Sequence, residues 1–113
     1  MHKADGVRLR HMLESAREAM SFAQNLTRHD LGANRMLTLA LTRLIEIIGE
    51  AAAKISLETR THYATIPWAD IVGMRNRLIR AYFDVDLDRL LDTITDDLPP
   101  LVAELEKTLA SER

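Results

Sequence analysis

Between Ala33 and Ser56 the apolar residues Leu37, Leu41, Leu44, Ile48, Ala51 and Ile55 recur in alternating steps of four and three. Only an α-helix, at about 3.6 residues per turn, brings such a series onto one side of a segment. Met36, Leu39, Ala40, Ile45 and Ile47 widen the stripe until most of the circumference is apolar. A helix of this kind lies at the centre of a bundle, or is covered on one side by its own chain and on another by a partner.

The flanking segments fit the same architecture. From Lys3 to Arg28, Leu9, Leu13, Ala16, Met20 and Ala23 form one stripe, and Asp30 and Gly32 then interrupt the pattern. The stretch SLETRTHYATIPWAD has no helical period until Pro67, a residue suited to a first helical turn. A third helix is expected from Pro67 to Tyr82. Asp86 is a candidate N-cap for a fourth, with Leu87, Leu90, Leu91, Ile94 and Leu98 turned inward. The Pro99-Pro100 pair either kinks that helix or starts a short fifth one carrying Leu101, Val102, Leu105 and Leu109. With 113 residues, four glycines and three prolines, the chain reads as one all-α domain over residues 1–113. The expected form is an antiparallel four-helix bundle with a kinked last helix or a short fifth helix.

Composition narrows the chemistry. The chain has no cysteine, so disulfides and thiolate metal sites play no part. A formal net charge of −2 excludes a generally basic nucleic-acid coat, leaving only a local patch for such a contact. No apolar run reaches the roughly 20 residues that span a bilayer. The start, MHKADGVRLRHML, lacks an apolar signal core, so a cytoplasmic location is expected.

The local patch is found in GMRNRLIRAYFDVD, where Arg75, Arg77 and Arg80 fall within six residues. At about 100° per residue, Arg75 and Tyr82 share a face of the expected helix, and Asn76 and Arg80 share a neighbouring one. Arg75 and Arg80 lie about 140° apart, so they reach one ligand only through long side chains or across a dimer axis. A solvated helix face and a phosphate site are both open readings of these residues. Glu46 and Glu50, four apart on the second helix, point two carboxylates one way, which suggests that arginines of the third helix face them. The Glu-x-x-His pairs of a dimetal bundle site are absent, and His2, His11, His29 and His62 show no ligand spacing, so no metal or cofactor is expected. His62 beside Tyr63 could touch RNA or simply face water. Trp68 reads first as a packing residue and second as a base-stacking one.

The stretch IPWADIVGMRNRLIRAYFDVDLDRLLDTITDDLPPL, with NRMLTLALTRLIEIIGEAAAKIS upstream, resembles the HepT-like family of the HEPN superfamily. These are small all-α ribonuclease toxins whose signature is Arg, four residues, His, one residue, Tyr. Arg75 stands in the Arg place, Asn76 is the polar residue often found after it, and Tyr82 stands in the Tyr place. The resemblance implies a HEPN-like fold and metal-independent endoribonuclease activity on cellular RNA. The catalytic positions would be Arg75, Asn76 and position 80, with Arg75, Arg77 and Arg80 as phosphate-binding cations. It further implies a homodimer, which can enter a larger hetero-oligomer with an MntA-type nucleotidyltransferase antitoxin. That antitoxin transfers AMP to the Tyr82 position.

The departure is at position 80, where the family has histidine and this chain has Arg80. Internal cleavage of RNA needs the 2′-hydroxyl deprotonated and the leaving oxygen protonated, and imidazole titrates near neutral pH. A guanidinium does not lose its proton in a protein. Arg80 can bind phosphate and stabilise charge, but it cannot shuttle protons. Loss of a general acid–base costs about 10²–10⁴-fold in rate. This copy is therefore expected to be impaired, and the alternative is a non-catalytic helical module that binds nucleotide or a partner.

Overall fold

The computed structural model of the protein describes residues 1–112. Its helices are α1 (Lys3–Phe22), α2 (Arg28–Gly32), α3 (Arg35–Ala53), α4 (Leu57–His62), α5 (Trp68–Leu78), α6 (Leu87–Asp92) and α7 (Leu98–Ser111). Two short strands, β1 (Ile79–Ala81) and β2 (Asp84–Val85), lie between α5 and α6, and a π-turn over Thr93–Asp97 joins α6 to α7. The all-α, HEPN-like expectation holds.

Helix α3 is central, packing against α1 and α5, while α1 also packs against α7. The side-chain pairings give the directions. Asp5, at the start of α1, meets Ser56 just beyond the end of α3. Glu46 meets Arg75, whereas Gly49 further along α3 lies against Ile71 and Val72, earlier in α5. The terminal amine of Met1 pairs with Glu112 after α7 at 3.4 Å. Each neighbouring pair of long helices is therefore antiparallel.

The core is the periodic residues of those helices. Leu41, Ile45, Ile48 and Ala52 of α3 are fully buried with Leu9, Met12 and Ala16 of α1 and Leu98 and Leu105 of α7. Burying each large aliphatic side chain contributes about 1.5–3 kcal/mol. The other side of α3 is only partly covered: Met36 is 82% and Leu39 49% exposed.

Four local differences from the sequence expectation have physical causes. Helix α1 stops at Phe22 rather than Arg28, because Asn25 takes a left-handed φ of 63° and Thr27 starts a new helix. Thr27 Oγ1 accepts from the Asp30 amide while the Thr27 amide donates to Asp30 Oδ2, a reciprocal cap. The aperiodic stretch after Ser56 contains α4, whose N-terminus Ser56 caps by accepting from the Thr59 amide at 3.3 Å. The third helix ends at Leu78, four residues early, and the chain turns into the β1–β2 hairpin. The Leu78 carbonyl, at the helix end, accepts from the Asp86 amide at 2.7 Å, which closes the hairpin against α5.

The fourth helix starts where expected, with Asp86 Oδ1 accepting from the Arg89 amide at 3.1 Å. The proline pair then falls at the first positions of α7, so a further helix does begin there, carrying Leu101, Val102, Leu105 and Leu109. The preceding π-turn is the accommodation: the Leu98 amide donates five residues back, to Thr93. That wider turn relieves the ring of Pro99 of a clash with the carbonyl of an undisturbed helix.

Candidate functional site

Trp68, Ile71, Met74 and Leu78 recur at helical spacing and are the buried side of α5. That leaves Arg75, Asn76 and Arg77 on the outside, all exposed. Gly49 allows α5 its close approach to α3: a Cβ there would sit 3.3 Å from the Ile71 carbonyl oxygen and 3.5 Å from that of Val72. The approach brings Arg75 to α3, where its Nε donates to Glu46 Oε2 at 3.0 Å. Arg43 donates to the other carboxylate oxygen of Glu46 at 2.6 Å and to Glu50 at 3.3 Å. The expectation that arginines face Glu46 and Glu50 is met, from α5 and from α3 itself. Burial alone would push the Glu46 carboxyl up, but Arg43 and Arg75 together hold it below the usual carboxylate range.

Arg77 and Arg80 lie elsewhere. Arg77 folds back along α5 and donates to the Asp70 carbonyl at 2.9 Å. Arg80 is on β1, not on a helix, and pairs with Asp86 Oδ2 at 3.3 Å. The Asp86 carboxyl is held below the usual range, first by the Arg89 amide and then by Arg80. Arg77, Arg80 and Arg89 border a depression of about 380 Å³ whose other charged residues are Asp86, Asp88, Asp92, Asp96 and Asp97. Carboxylates outnumber arginines there, so this side disfavours a polyanion.

The spacing predicts a motif along one helix, but α5 ends at Leu78, before Arg80 and Tyr82. Arg75 and Tyr82 do not share a face of one helix, because Tyr82 is in the turn of the hairpin. Nor are Asn76 and Arg80 one helical turn apart. Arg80 is on β1 and Tyr82 is in the turn that follows, so the Arg-x-Tyr step leaves a strand rather than winding along a helix. The turn itself is Tyr82-Phe83, with Tyr82 96% and Phe83 62% exposed and the two rings edge-on at 5.1 Å. Arg35 of α3 donates to the Phe83 carbonyl at 3.2 Å and ties the tip to the bundle.

Phe83 and Arg35 were not singled out in the sequence. The available signal for Phe83 was an aromatic residue beside the motif tyrosine. Trp68 is a packing residue, buried, with its indole N–H donating to the Tyr63 carbonyl at 3.1 Å. His62 stacks edge-on to Tyr63 at 4.6 Å, at the far end of α4. Among the described residues no three of His, Asp and Glu gather as metal ligands. No described helix is long and apolar enough to cross a membrane.

Residues 12–108 match the sequence model of a family described as Ribonuclease HepT-like. A protein of Thermococcus cleftensis named "Probable ribonuclease HepT" is 35% identical, over 84% of this chain and 90% of its own length. A protein of Caldanaerobacter subterraneus with a provisional RNase name is 31% identical, over 93% of this chain and 94% of its own. One from Methanocaldococcus jannaschii, also named provisionally as an RNase, is 35% identical over 84% and 87%. No solved structure matches the chain. Matched along most of its length, the chain belongs to the HepT-like ribonuclease family.

Proposed function

We propose that this chain is the toxin subunit of a HepT/MntA-type toxin–antitoxin pair, built as a metal-independent endoribonuclease and impaired in this copy by Arg80. Family membership carries the reading, and the exposed Arg75–Asn76 surface beside the hairpin is consistent with it. Arg75 holds the scissile phosphate and Asn76 orients it, while Arg77 and Arg80 add positive charge only on leaving the Asp70 carbonyl and Asp86. In an unaltered relative, the side chain at position 80 takes the proton from the 2′-hydroxyl. The 2′-oxygen then bonds to phosphorus, the bond to the 5′-oxygen breaks, and that oxygen leaves with a proton. Arg80 supplies charge but no proton transfer, and Asp86 already engages it.

Two copies complete the groove. Arg75 turns toward α3 and Arg80 toward Asp86 within one chain, so convergence on one phosphate calls for a partner. The exposed Met36 and Leu39 of α3 and Val72 of α5 supply apolar surface for that contact. Tyr82 is the AMP acceptor. Its hydroxyl oxygen attacks the α-phosphorus of ATP held by the antitoxin, pyrophosphate leaves, and the phenolic proton passes to the antitoxin or to water. The added phosphate would compete with RNA for Arg75. At 96% exposure, Tyr82 is open to a modifying enzyme.

A second reading, a binding module without catalysis, is favoured by one observation: the position that needs a proton carrier holds a paired arginine. Total RNA incubated with a chelator and an Arg80→His version separates the two. Cleavage that falls steeply but measurably on adding Arg75→Ala, or disappears on AMP transfer to Tyr82, supports the ribonuclease. Absence of cleavage by a folded, dimeric Arg80→His protein supports the module.

A further inference from the structure

The packing of α3 on α5 gives a part to a residue outside the arginine motif. Glu46 accepts from Arg75 Nε at 3.0 Å through one oxygen and from Arg43 at 2.6 Å through the other. The three residues make a chain, Arg43–Glu46–Arg75, that crosses from α3 to α5. Glu46 is the most covered of them, its side chain 28% exposed against 44% for Arg75 and 56% for Arg43. The approach is fixed from below by Gly49, one helical turn further along α3.

A guanidinium carries five N–H donors in a rigid planar fork. With Nε bound to Glu46, the Arg75 side chain is still 44% exposed, which leaves its two terminal nitrogens for an outside partner. Among the described residues they have no hydrogen-bond partner. That edge matches two oxygens of a phosphodiester. A lysine, whose three donors share one nitrogen, lacks the planar fork that meets two phosphate oxygens side by side.

We infer that Glu46 is a positioning residue: it anchors Arg75 by Nε and so presents the terminal edge of its guanidinium to a phosphodiester of single-stranded RNA. This rests on the ribonuclease reading of the same surface. Removing a carboxylate beside a phosphate site should tighten RNA binding by Coulomb's law, whereas releasing Arg75 from its anchor should slow cleavage. Exposed ion pairs such as these contribute little to stability, so Glu46→Gln should fold normally.

The experiment uses the Arg80→His protein, with and without Glu46→Gln, each also combined with Arg75→Ala. Cleavage of a labelled single-stranded RNA is followed in chelator, with thermal melting as the fold control. The expected result is a kcat reduced about 10–100-fold by Glu46→Gln, with KM unchanged or lower and melting unchanged. In the Arg75→Ala background Glu46→Gln should add nothing. An unchanged kcat, or an equal loss in both backgrounds, overturns the inference while leaving the ribonuclease reading in place. A second readout needs no catalysis. In the chain as it stands, the Arg75 Nε–H NMR signal should be protected from exchange and should move when 2′-O-methyl RNA is added. Glu46→Gln should abolish the protection and diminish that response. If Arg80→His fails to cut RNA, the ribonuclease reading falls and this second readout still decides whether Glu46 orients Arg75.

Discussion

Asp5 should carry more of the stability of this protein than any other acidic residue. It is 2% exposed, yet it is ionisable and sits in the first turn of α1. Its carboxylate accepts from the Ser56 amide at 3.1 Å, the Ser56 hydroxyl at 2.6 Å and the Thr59 hydroxyl at 2.7 Å. The start of α1 is thereby tied to the joint between α3 and α4. Hydrogen bonds to a charged acceptor contribute about 1.5–3 kcal/mol each. In Asp5→Ala the two hydroxyls keep each other, 3.2 Å apart, and the Ser56 amide loses its acceptor. The net cost should be about 3 kcal/mol, which lowers the melting temperature by about 12 °C at roughly 4 °C per kcal/mol.

The same site predicts a pH dependence. Burial alone would push the Asp5 carboxyl up, but the Ser56 and Thr59 hydroxyls and the Ser56 amide hold it below the usual range. Below the ordinary carboxylate pKa of about 3.9 the unfolded state binds the proton more readily. The stabilisation is therefore complete above that value and is lost as pH falls through the lower folded one. Thermal melting of the unaltered chain, Asp5→Ala and Asp5→Asn from about pH 6 to about pH 3 is the assay. The gap between unaltered and Asn forms should narrow with acid. A melting temperature for Asp5→Ala within about 3 °C of the unaltered chain at neutral pH would refute the reasoning.

Gly49→Val should force α5 off α3, since even the first carbon of that side chain meets the Ile71 carbonyl oxygen at 3.3 Å. Denaturant unfolding should show a loss of about 1–3 kcal/mol, and, combined with Arg80→His, the substitution should slow RNA cleavage because Arg75 is displaced from Glu46. Binding of single-stranded RNA should depend on salt chiefly through Arg75. Replacing Arg75 by alanine should lower the slope of log K against log salt by about 0.7, read by fluorescence anisotropy, whereas Arg77→Ala and Arg80→Ala, whose side chains are already held by the Asp70 carbonyl and Asp86, should lower it less.

The bundle was legible because its residues repeat with the helical period, and α3 above all could form nothing else. Asp86 and the proline pair were legible as punctuation. The hairpin was not. Tyr82-Phe83 lacks the Asn-Gly or Asp-Gly signal of the tightest turns, and the apolar series Met74, Leu78, Ile79 continues the helical spacing up to the residue where the helix ends. What stops α5 is tertiary: the amide of Asp86 and the side chain of Arg35 hold the turned chain in place. Local side-chain caps at Thr27 and Ser56 explain the two short helices, and each was present in the sequence as a threonine or serine three residues before its hydrogen-bonded donor. At the site, the carboxylate pair Glu46 and Glu50 pointed to arginines correctly. Which arginine would meet which carboxylate depended on the close approach at Gly49, a property of packing rather than of spacing.

If the chain is a ribonuclease scaffold lacking its proton carrier, side-by-side rates for the unaltered chain and Arg80→His will reveal it. Both proteins, purified identically and checked for fold and dimerisation, are incubated with the same single-stranded RNA in chelator. The histidine form should cut about 10²–10⁴-fold faster. Equal rates, whether both forms cut or neither does, would contradict it.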